Sequence, residues 1–134
     1  MATSMIKQQK NAIEKFSVTF PSSITDLQVR GMNCWYEPDV GKVHISFTIL
    51  SQSKLIPSRV MSGPFAYIPE KYRPKTNKNG GFVFFGKDQS NTSAGKICPE
   101  MTNVMENGEI IANYWLYGEE YSYTAWVDFD YLID

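Results

Sequence analysis

The sequence of 134 residues predicts a single all-β domain, built as an antiparallel β-sandwich or a barrel-like sheet. Aromatic residues make up 14% of the chain, which favours strands over helices. Polar and apolar residues alternate with a period of two in several short segments. Residues that favour turns separate these segments at regular intervals. Together, the three observations predict strands joined by short connections.

The beginning of the chain differs from the remainder. Residues 1–15 are polar and are expected to form a tail or a short helical linker, with Ser4 as the candidate N-cap. From Phe16 onwards the alternation has a period of two, so residues 16–134 are assigned to one β-domain. A hydrophobic content of 43% is sufficient for a core in a domain of this size.

Each strand is predicted from its own alternation or apolar content and from the turn residues that end it. In chain order the predicted strands are residues 16–20, 27–32, 34–36, 42–50, 54–61, 82–85, 96–105, 109–117 and 121–131. Turns are expected at 37–41, 76–81 and 107–108, where Pro, Asn, Asp and Gly supply the required conformations. Pro57 has no backbone N–H to donate to a neighbouring strand, so the segment 54–61 is expected to be an edge strand or to contain a bulge.

Two of these strands have the clearest patterns. In residues 42–50 the apolar side chains of one face are Val43, Ile45, Phe47 and Ile49. His44 lies on the opposite face and is interpreted as a surface or interface residue. In residues 121–131 the odd positions are mostly apolar and the even positions mostly polar. Trp126 has an even position in that strand and is interpreted as a core or inter-subunit residue.

Charge is segregated along the chain. Residues 1–96 contain thirteen bases and six acids, a net charge of +7, whereas residues 97–134 contain eight acids and no base, a net charge of −8. We expect the two parts to pair across neighbouring strands. The alternative is an acidic face that binds cations. Both arrangements disfavour nucleic-acid binding, and no apolar run approaches the roughly 20 residues of a membrane span, so no membrane insertion is expected.

No catalytic residue, metal site or cofactor is predicted. Cys34 and Cys98 lack metal-ligand spacing, and without the pattern of a secretory signal they are expected to be reduced, with a disulfide as the alternative. A single histidine argues against a zinc site. Asp128 and Asp130 share a strand face at roughly 7 Å, a spacing that inverting glycosidases use, but such exposed pairs are usually only solvated. We therefore expect a protein that is not an enzyme.

Two aromatic pairs beside predicted turns are candidate saccharide-binding residues. Sugar rings stack their C–H faces on aromatic rings, while their hydroxyls bond to carboxylates and amides. The candidates are Trp35, Tyr36 and Asp39 at one turn, and Trp115, Tyr117 and Glu119 at another. The alternative is that Trp35 and Trp115 are core residues that end their strands.

The segment 64–74 contains three prolines and three aromatic residues, which excludes a helix interior and predicts an extended connection between two strands. Its sequence Ile-Pro-Glu-Lys-Tyr-Arg-Pro (residues 68–74) resembles the Leu-Pro-x-x-Tyr-Arg-Pro signature of β-rich terminal domains in bacteriophage tail-fibre and baseplate proteins. Pro69 and Pro74 are expected to fix an extended path and Tyr72 to pack inwards. Arg73 is expected to reach a carboxylate bidentately.

The resemblance extends over about residues 42–131 and implies a homotrimeric β-domain in the virion of a phage of Gram-positive bacteria. It implies either attachment to a host cell-wall saccharide or scaffolding of receptor-binding proteins. Other tail and baseplate proteins would be its partners, and the protein would be made in the host cytoplasm. A free-standing lectin-like carbohydrate-binding module and a polysaccharide-degrading enzyme are the alternatives. The sequence departs from the signature with Ile68 in place of Leu and with Glu70-Lys71 where a glycine often precedes the tyrosine.

Overall fold

A computed structural model describes residues 11–22, 27–51, 61–87, 97–114 and 123–134. Within these ranges the regular structure consists of strands and a single 3₁₀ turn, Glu70–Tyr72. The strands are β1 (Glu14–Phe16), β2 (Leu27–Arg30), β3 (Cys34–Glu37), β4 (Lys42–Ser51), β5 (Met61–Tyr67), β6 (Lys78–Lys87), β7 (Ile97–Val104), β8 (Glu109–Tyr114) and β9 (Tyr123–Leu132). No helix in the described ranges is long and apolar enough to cross a membrane.

All nine of these strands belong to one antiparallel sheet with the order β1-β3-β4-β9-β6-β7-β8-β5, and β2 also pairs with β4. The two ends of this order meet at Thr19, which follows β1, and Tyr67, which ends β5. These two residues exchange backbone hydrogen bonds with N–O distances of 3.0 and 2.8 Å. The contact curls the sheet into a barrel-like form, and the predicted antiparallel all-β fold is confirmed.

The core is centred on the pairing of β4 with β9. Alternate residues of each strand face the same side, so an inward row on one strand meets an inward row on the other. The inward pairs are Val43–Tyr131, Ile45–Phe129, Phe47–Val127 and Ile49–Ala125. All eight side chains are buried. The inward row predicted for residues 42–50 and the alternation predicted for the last strand are both confirmed.

The proline-rich segment joins β5 to β6, as predicted. Residues 64–67 belong to β5, and Pro69 and Arg73 are extended, with φ and ψ of −55° and 146° and of −70° and 145°. Between them, Glu70–Tyr72 form the 3₁₀ turn, in which the Tyr72 N–H donates to the Pro69 carbonyl at 3.0 Å. The expected extended path is therefore interrupted by one tight turn.

Tyr72 packs inwards, as predicted, and contacts β1 and β9. Its ring stacks on Phe16 of β1 with a centroid distance of 4.2 Å. Its hydroxyl donates to the Glu14 carboxylate at 2.9 Å, and its carbonyl accepts a hydrogen bond from the Tyr131 hydroxyl at 2.6 Å. Pro74, two residues later, is buried as well. The segment thereby fastens β1 and β9 to the connection between β5 and β6.

Arg73 differs from its prediction. Its Nε donates to the backbone carbonyl of Ile68 at 2.9 Å, and none of the described carboxylates is its partner. The Ile68 N–H in turn donates to the Gly108 carbonyl at 2.8 Å. Ile68 therefore holds the turn between β7 and β8 against the Arg73 guanidinium. The expected bidentate ion pair is not found among the described residues, and the partner of the Nε donor is a backbone carbonyl.

Several element boundaries also differ. β1 begins at Glu14, two residues before the predicted start of the β-domain. The turn predicted at 76–81 lies partly inside β6, where the register shifts between Asn79 and Gly81 to form a bulge. The turns at 37–41 and 107–108 are confirmed. The N-cap expected at Ser4 and the strand expected at 54–61, apart from its last residue, lie outside the described residues.

Bases from the first part of the chain pair with acids from its end. Lys42 Nζ lies 3.4 Å from an Asp130 carboxylate oxygen, and Lys75 Nζ lies 2.7 Å from Asp134. Lys75 lowers the pKa of the Asp134 carboxyl, through a hydrogen bond and then through its charge. The expected pairing between the two oppositely charged parts is thus observed at these positions.

Candidate functional site

The outward face of β3, β4 and β9 places aromatic, hydroxyl and charged side chains in rows. Residues that pair directly across strands share a face, so the register gives the rows. They are Trp35–His44–Asp130, then Ser46–Asp128, then Thr48–Trp126. Every β4 and β9 member of these rows lies between two buried neighbours of its own strand. The alternation that fills the core therefore also assembles this outward surface.

His44 lies between two carboxylates in the first two rows. Its Nδ1 forms a hydrogen bond with Asp130, and its Nε2 lies 3.6 Å from Asp128 Oδ1. Trp35 stacks on the imidazole with a centroid distance of 4.8 Å and an interplanar angle of 20°. Lys42 Nζ lies 5.7 Å from the Trp35 ring centroid, besides its contact with Asp130. These contacts hold the tryptophan ring against the sheet and engage the Asp130 carboxylate with two partners.

This arrangement differs from a Ser-His-Asp triad. A triad needs one imidazole nitrogen to accept the proton of the nucleophilic hydroxyl while the other donates to a carboxylate. Both nitrogens of His44 face carboxylates, and neither faces Ser46. Among the described residues, no group of three or more His, Cys, Asp or Glu side chains is arranged to hold a metal ion. The chemistry of the face is that of hydrogen bonding, stacking and charge.

A groove of about 370 Å³ lies beside this cluster. β2 pairs with one end of β4 and β3 pairs with the other end. The groove lies at the gap between them, where neither strand covers the middle of β4. The link between them turns at Gly31, whose φ of +62° is left-handed and suits glycine. The Asn33 N–H returns the chain to β4 by donating to the Ser46 carbonyl at 2.8 Å. The lining residues are Gly31, Ser46, Phe47, Thr48, Trp126, Val127 and Asp128.

The groove presents an aromatic ring, a carboxylate and two hydroxyls. Trp126 is 37% exposed and the Asp128 side chain is 76% exposed, while Ser46 and Thr48 are half-buried. An indole face stacks on the C–H face of a sugar, and carboxylates and hydroxyls bond to its polar groups. The interpretation of Trp126 as a core residue is wrong, because its position in β9 faces outwards. Its contact with another subunit stays a prediction.

The residues predicted for saccharide binding are distributed over different places. Trp35 lies on the outward face, whereas Tyr36 packs against the core, with its ring centroid 5.5 Å from that of Tyr72. Asp39 is exposed in the turn after β3, where it accepts a hydrogen bond from the Asn11 amide at 3.1 Å. Trp115, Tyr117 and Glu119 lie outside the described residues. Of the described candidates, only Trp35 faces the same side as the groove.

Sequence reasoning did not find the groove. The alternation in β9 did show that Trp126, Asp128 and Asp130, at even positions, share one face of the strand. The pairing of β4 with β9 joins residues more than seventy positions apart, and it alone brings Ser46 and Thr48 beside them. The gap between β2 and β3 likewise depends on how both strands pair with β4.

Cys34 is the first residue of β3 and directly follows the link from β2. It is free and buried, and its thiol sulfur lies 3.9 Å from the Ser46 carbonyl oxygen. Burial raises the pKa of this thiol, because the thiolate would lose its hydration. The expectation of a reduced cysteine is confirmed at this position, where the thiol contributes to the core.

Comparison with known proteins identifies no relative: no protein-family model and no curated protein matches the chain. The functional hypothesis therefore rests on the outward face and its groove, together with the resemblance of residues 68–74.

Proposed function

We propose that this chain is a β-domain of a phage tail or baseplate that attaches to a host-surface saccharide. The groove beside β4 and β9 is the proposed binding site. The observation that carries the saccharide part is the exposed indole of Trp126 beside the carboxylate of Asp128, in a groove of about 370 Å³. In this proposal, the protein binds the saccharide and catalyses no reaction on it.

Saccharide recognition suits this groove because its groups are held in place before binding. Trp126 and Asp128 lie two positions apart on a strand that is paired along its whole described length with β4. Ser46 and Thr48 lie directly opposite them. Because the register fixes the backbone on both sides, the ligand orders fewer protein groups when it binds.

The phage part of the proposal is supported by the resemblance of residues 68–74. In the fold this segment is a structural clamp: Tyr72 contacts β1 and β9, and Arg73 contacts the turn between β7 and β8. It lines no part of the groove. The signature therefore relates to the scaffold of such domains, and the proposed ligand contacts lie elsewhere on the sheet.

Truncation of the indole tests the binding site. We expect the purified protein to bind one or more bacterial cell-wall oligosaccharides in calorimetry, and Trp126→Ala to weaken that binding about tenfold, because stacking and buried apolar area are lost. Leu132→Ala is the matched control, since Leu132 is 55% exposed on the same face of β9 but lies outside the groove lining. It should leave the affinity unchanged.

Two results would contradict the proposal. One is the absence of binding to every cell-wall oligosaccharide tested. The other is binding that Trp126→Ala and Leu132→Ala affect equally, which would place the site away from the groove. Thermal unfolding of both variants shows that each is folded when it is assayed.

A further inference from the structure

We infer that the groove selects saccharides with an unsubstituted amino group, and that Asp128 binds the resulting ammonium. This inference rests on the proposed saccharide function and adds to it the chemical class of the ligand. It follows from the difference between the two outward aspartates of β9 and from the charges around the groove.

Asp130 and Asp128 occupy equivalent outward positions but differ in their contacts. Asp130 is hydrogen-bonded to His44 and lies 3.4 Å from Lys42 Nζ. Asp128 is 76% exposed, and its one described contact is His44 Nε2 at 3.6 Å, which is longer than a hydrogen bond. The carboxylate of Asp128 thus retains most of its capacity to accept hydrogen bonds, whereas that of Asp130 is engaged by the protein.

Only Asp128 of these two faces the groove. Among the described residues, the lining contains this one carboxylate and no basic side chain, so these residues give the groove a negative charge. A ligand group of positive charge complements it, and an ammonium also supplies three donors. A carboxylate or phosphate in the same place would meet a like charge.

The spacing along β9 suits a sugar that carries this group as a substituent. Same-face residues two apart on a strand are separated by roughly 7 Å. A ring stacked on Trp126 can therefore direct a substituent towards Asp128. Ser46 lies directly opposite that carboxylate and Thr48 opposite the indole, so both hydroxyls border the same space.

Arg30 fixes the direction of the ligand. It pairs with Thr48 on the side of β4 away from Trp126, and its side chain is exposed. An ammonium is repelled at that end, whereas ring and hydroxyl oxygens can accept hydrogen bonds from the guanidinium. The amino group therefore points to the Asp128 end of the groove.

Two oligosaccharides that differ only at nitrogen test the inference. The probes are a β-1,4-linked glucosamine oligomer and its fully N-acetylated counterpart of the same length, titrated in calorimetry at about pH 6, where the amine is charged. We expect the wild-type protein to bind the glucosamine oligomer about fivefold more tightly, the range of an exposed ion pair. The preference should decrease as salt is added.

Asp128→Asn and Asp130→Asn form a matched pair of variants, because both replace a carboxylate by an amide on the same face of β9. Asp128→Asn should bind the two oligomers equally, and Asp130→Asn should retain the preference. A preference that survives in Asp128→Asn, or one that is lost equally in both variants, would overturn the inference.

The failure of this inference is distinguishable from that of the proposed function. If the wild-type protein binds both oligomers equally and Trp126→Ala weakens both, the groove is a saccharide site without amino-group selection. If neither oligomer binds, amino-sugar selection is overturned. The cell-wall oligosaccharide titrations then decide separately whether the groove binds saccharides at all.

Discussion

Gly108 has a φ of +92° in the turn between β7 and β8. A Cβ at this position would collide with the Arg73 guanidinium and would lie 2.8 Å from the Ile68 carbonyl oxygen. Gly41, in the turn between β3 and β4, has a φ of +69°, but a Cβ there would meet no atom within 4 Å. The two glycines therefore share the left-handed backbone and differ in the space around it.

Substitution of these two glycines separates backbone strain from close packing. Gly41→Ala should lower the free energy of unfolding by about 1 kcal/mol, the strain of a left-handed residue. Gly108→Ala should lower it by about 3 kcal/mol, since Arg73 must also move away from the Ile68 carbonyl. Urea unfolding of the two variants measures both changes. Equal losses would show that the contact with Arg73 is unimportant.

Glu14 is held in its ionised form by the proline-rich segment. Lys71 Nζ and the Tyr72 hydroxyl donate to the same carboxylate oxygen at 2.6 and 2.9 Å. Lys71 first, and then Tyr72, lower the pKa of the Glu14 carboxyl below its ordinary value of 4.5. The unfolded chain therefore binds this proton more readily than the folded one, and the stabilisation is lost as the pH falls from 4.5 through the lower pKa of the folded state.

Glu14→Gln should accordingly make the protein less sensitive to acid. Below about pH 4.5, its free energy of unfolding should fall less steeply with decreasing pH than that of the wild-type protein. Glu70→Gln is the control, because the Glu70 side chain is exposed and has no ion pair among the described residues. Denaturant unfolding at several acidic pH values measures the slopes. An unchanged slope in Glu14→Gln would contradict the role of this contact.

At the level of single elements, β4 and β9 have one face for the core and one for the candidate site. Phe47 is 2% exposed on the inner face, whereas Trp126 is 37% exposed on the outer face. Large buried side chains stabilise the fold by removing apolar area from water and by filling space. Side chains on the outward face contribute less to stability and are available to a ligand.

The two faces predict different costs of truncation. Phe47→Ala should destabilise the protein by about 3–5 kcal/mol, because it leaves a cavity in the core. Trp126→Ala should cost less than about 1 kcal/mol, as is usual for surface substitutions. Chemical denaturation measures both values. A large loss of unfolding free energy in Trp126→Ala would mean that the indole ring supports the fold. The binding experiment would then be done with Trp126→Phe instead.

The glycines also show how far elements can be predicted from local sequence. Asn107-Gly108 forms the expected turn, because the left-handed backbone of Gly108 is a local requirement that the Asn-Gly pair meets, whatever else packs against this glycine. Asn79-Gly80-Gly81 has a similar composition but lies in the strand β6 as a bulge. A Cβ on Gly80 would lie 2.6 Å from the Thr102 hydroxyl oxygen and 3.3 Å from the Phe129 ring. This glycine permits a close approach between strands, a requirement that the sequence does not display.

For the whole molecule, the expected homotrimer is a prediction for solution measurements. Light scattering should give a mass of about 46 kDa, three times the 15.3 kDa of one chain. Apolar side chains that are exposed in the single chain, including Ile13 and Val40, are available for such contacts. A mass of 15.3 kDa at high protein concentration, together with saccharide binding, would instead favour the free-standing lectin-like module.

The sequence by itself determined the all-β class, the inward rows of β4 and β9 and the inward packing of Tyr72. These features depend on local periodicity, on proline and on aromatic content, which are properties of neighbouring residues. Only the tertiary structure decided the register of β4 with β9, the gap between β2 and β3 and the carbonyl partner of Arg73. Each of these depends on contacts between distant segments, so the groove, with Trp126 and Asp128 on one side and Ser46 and Thr48 on the other, exists only in the folded sheet.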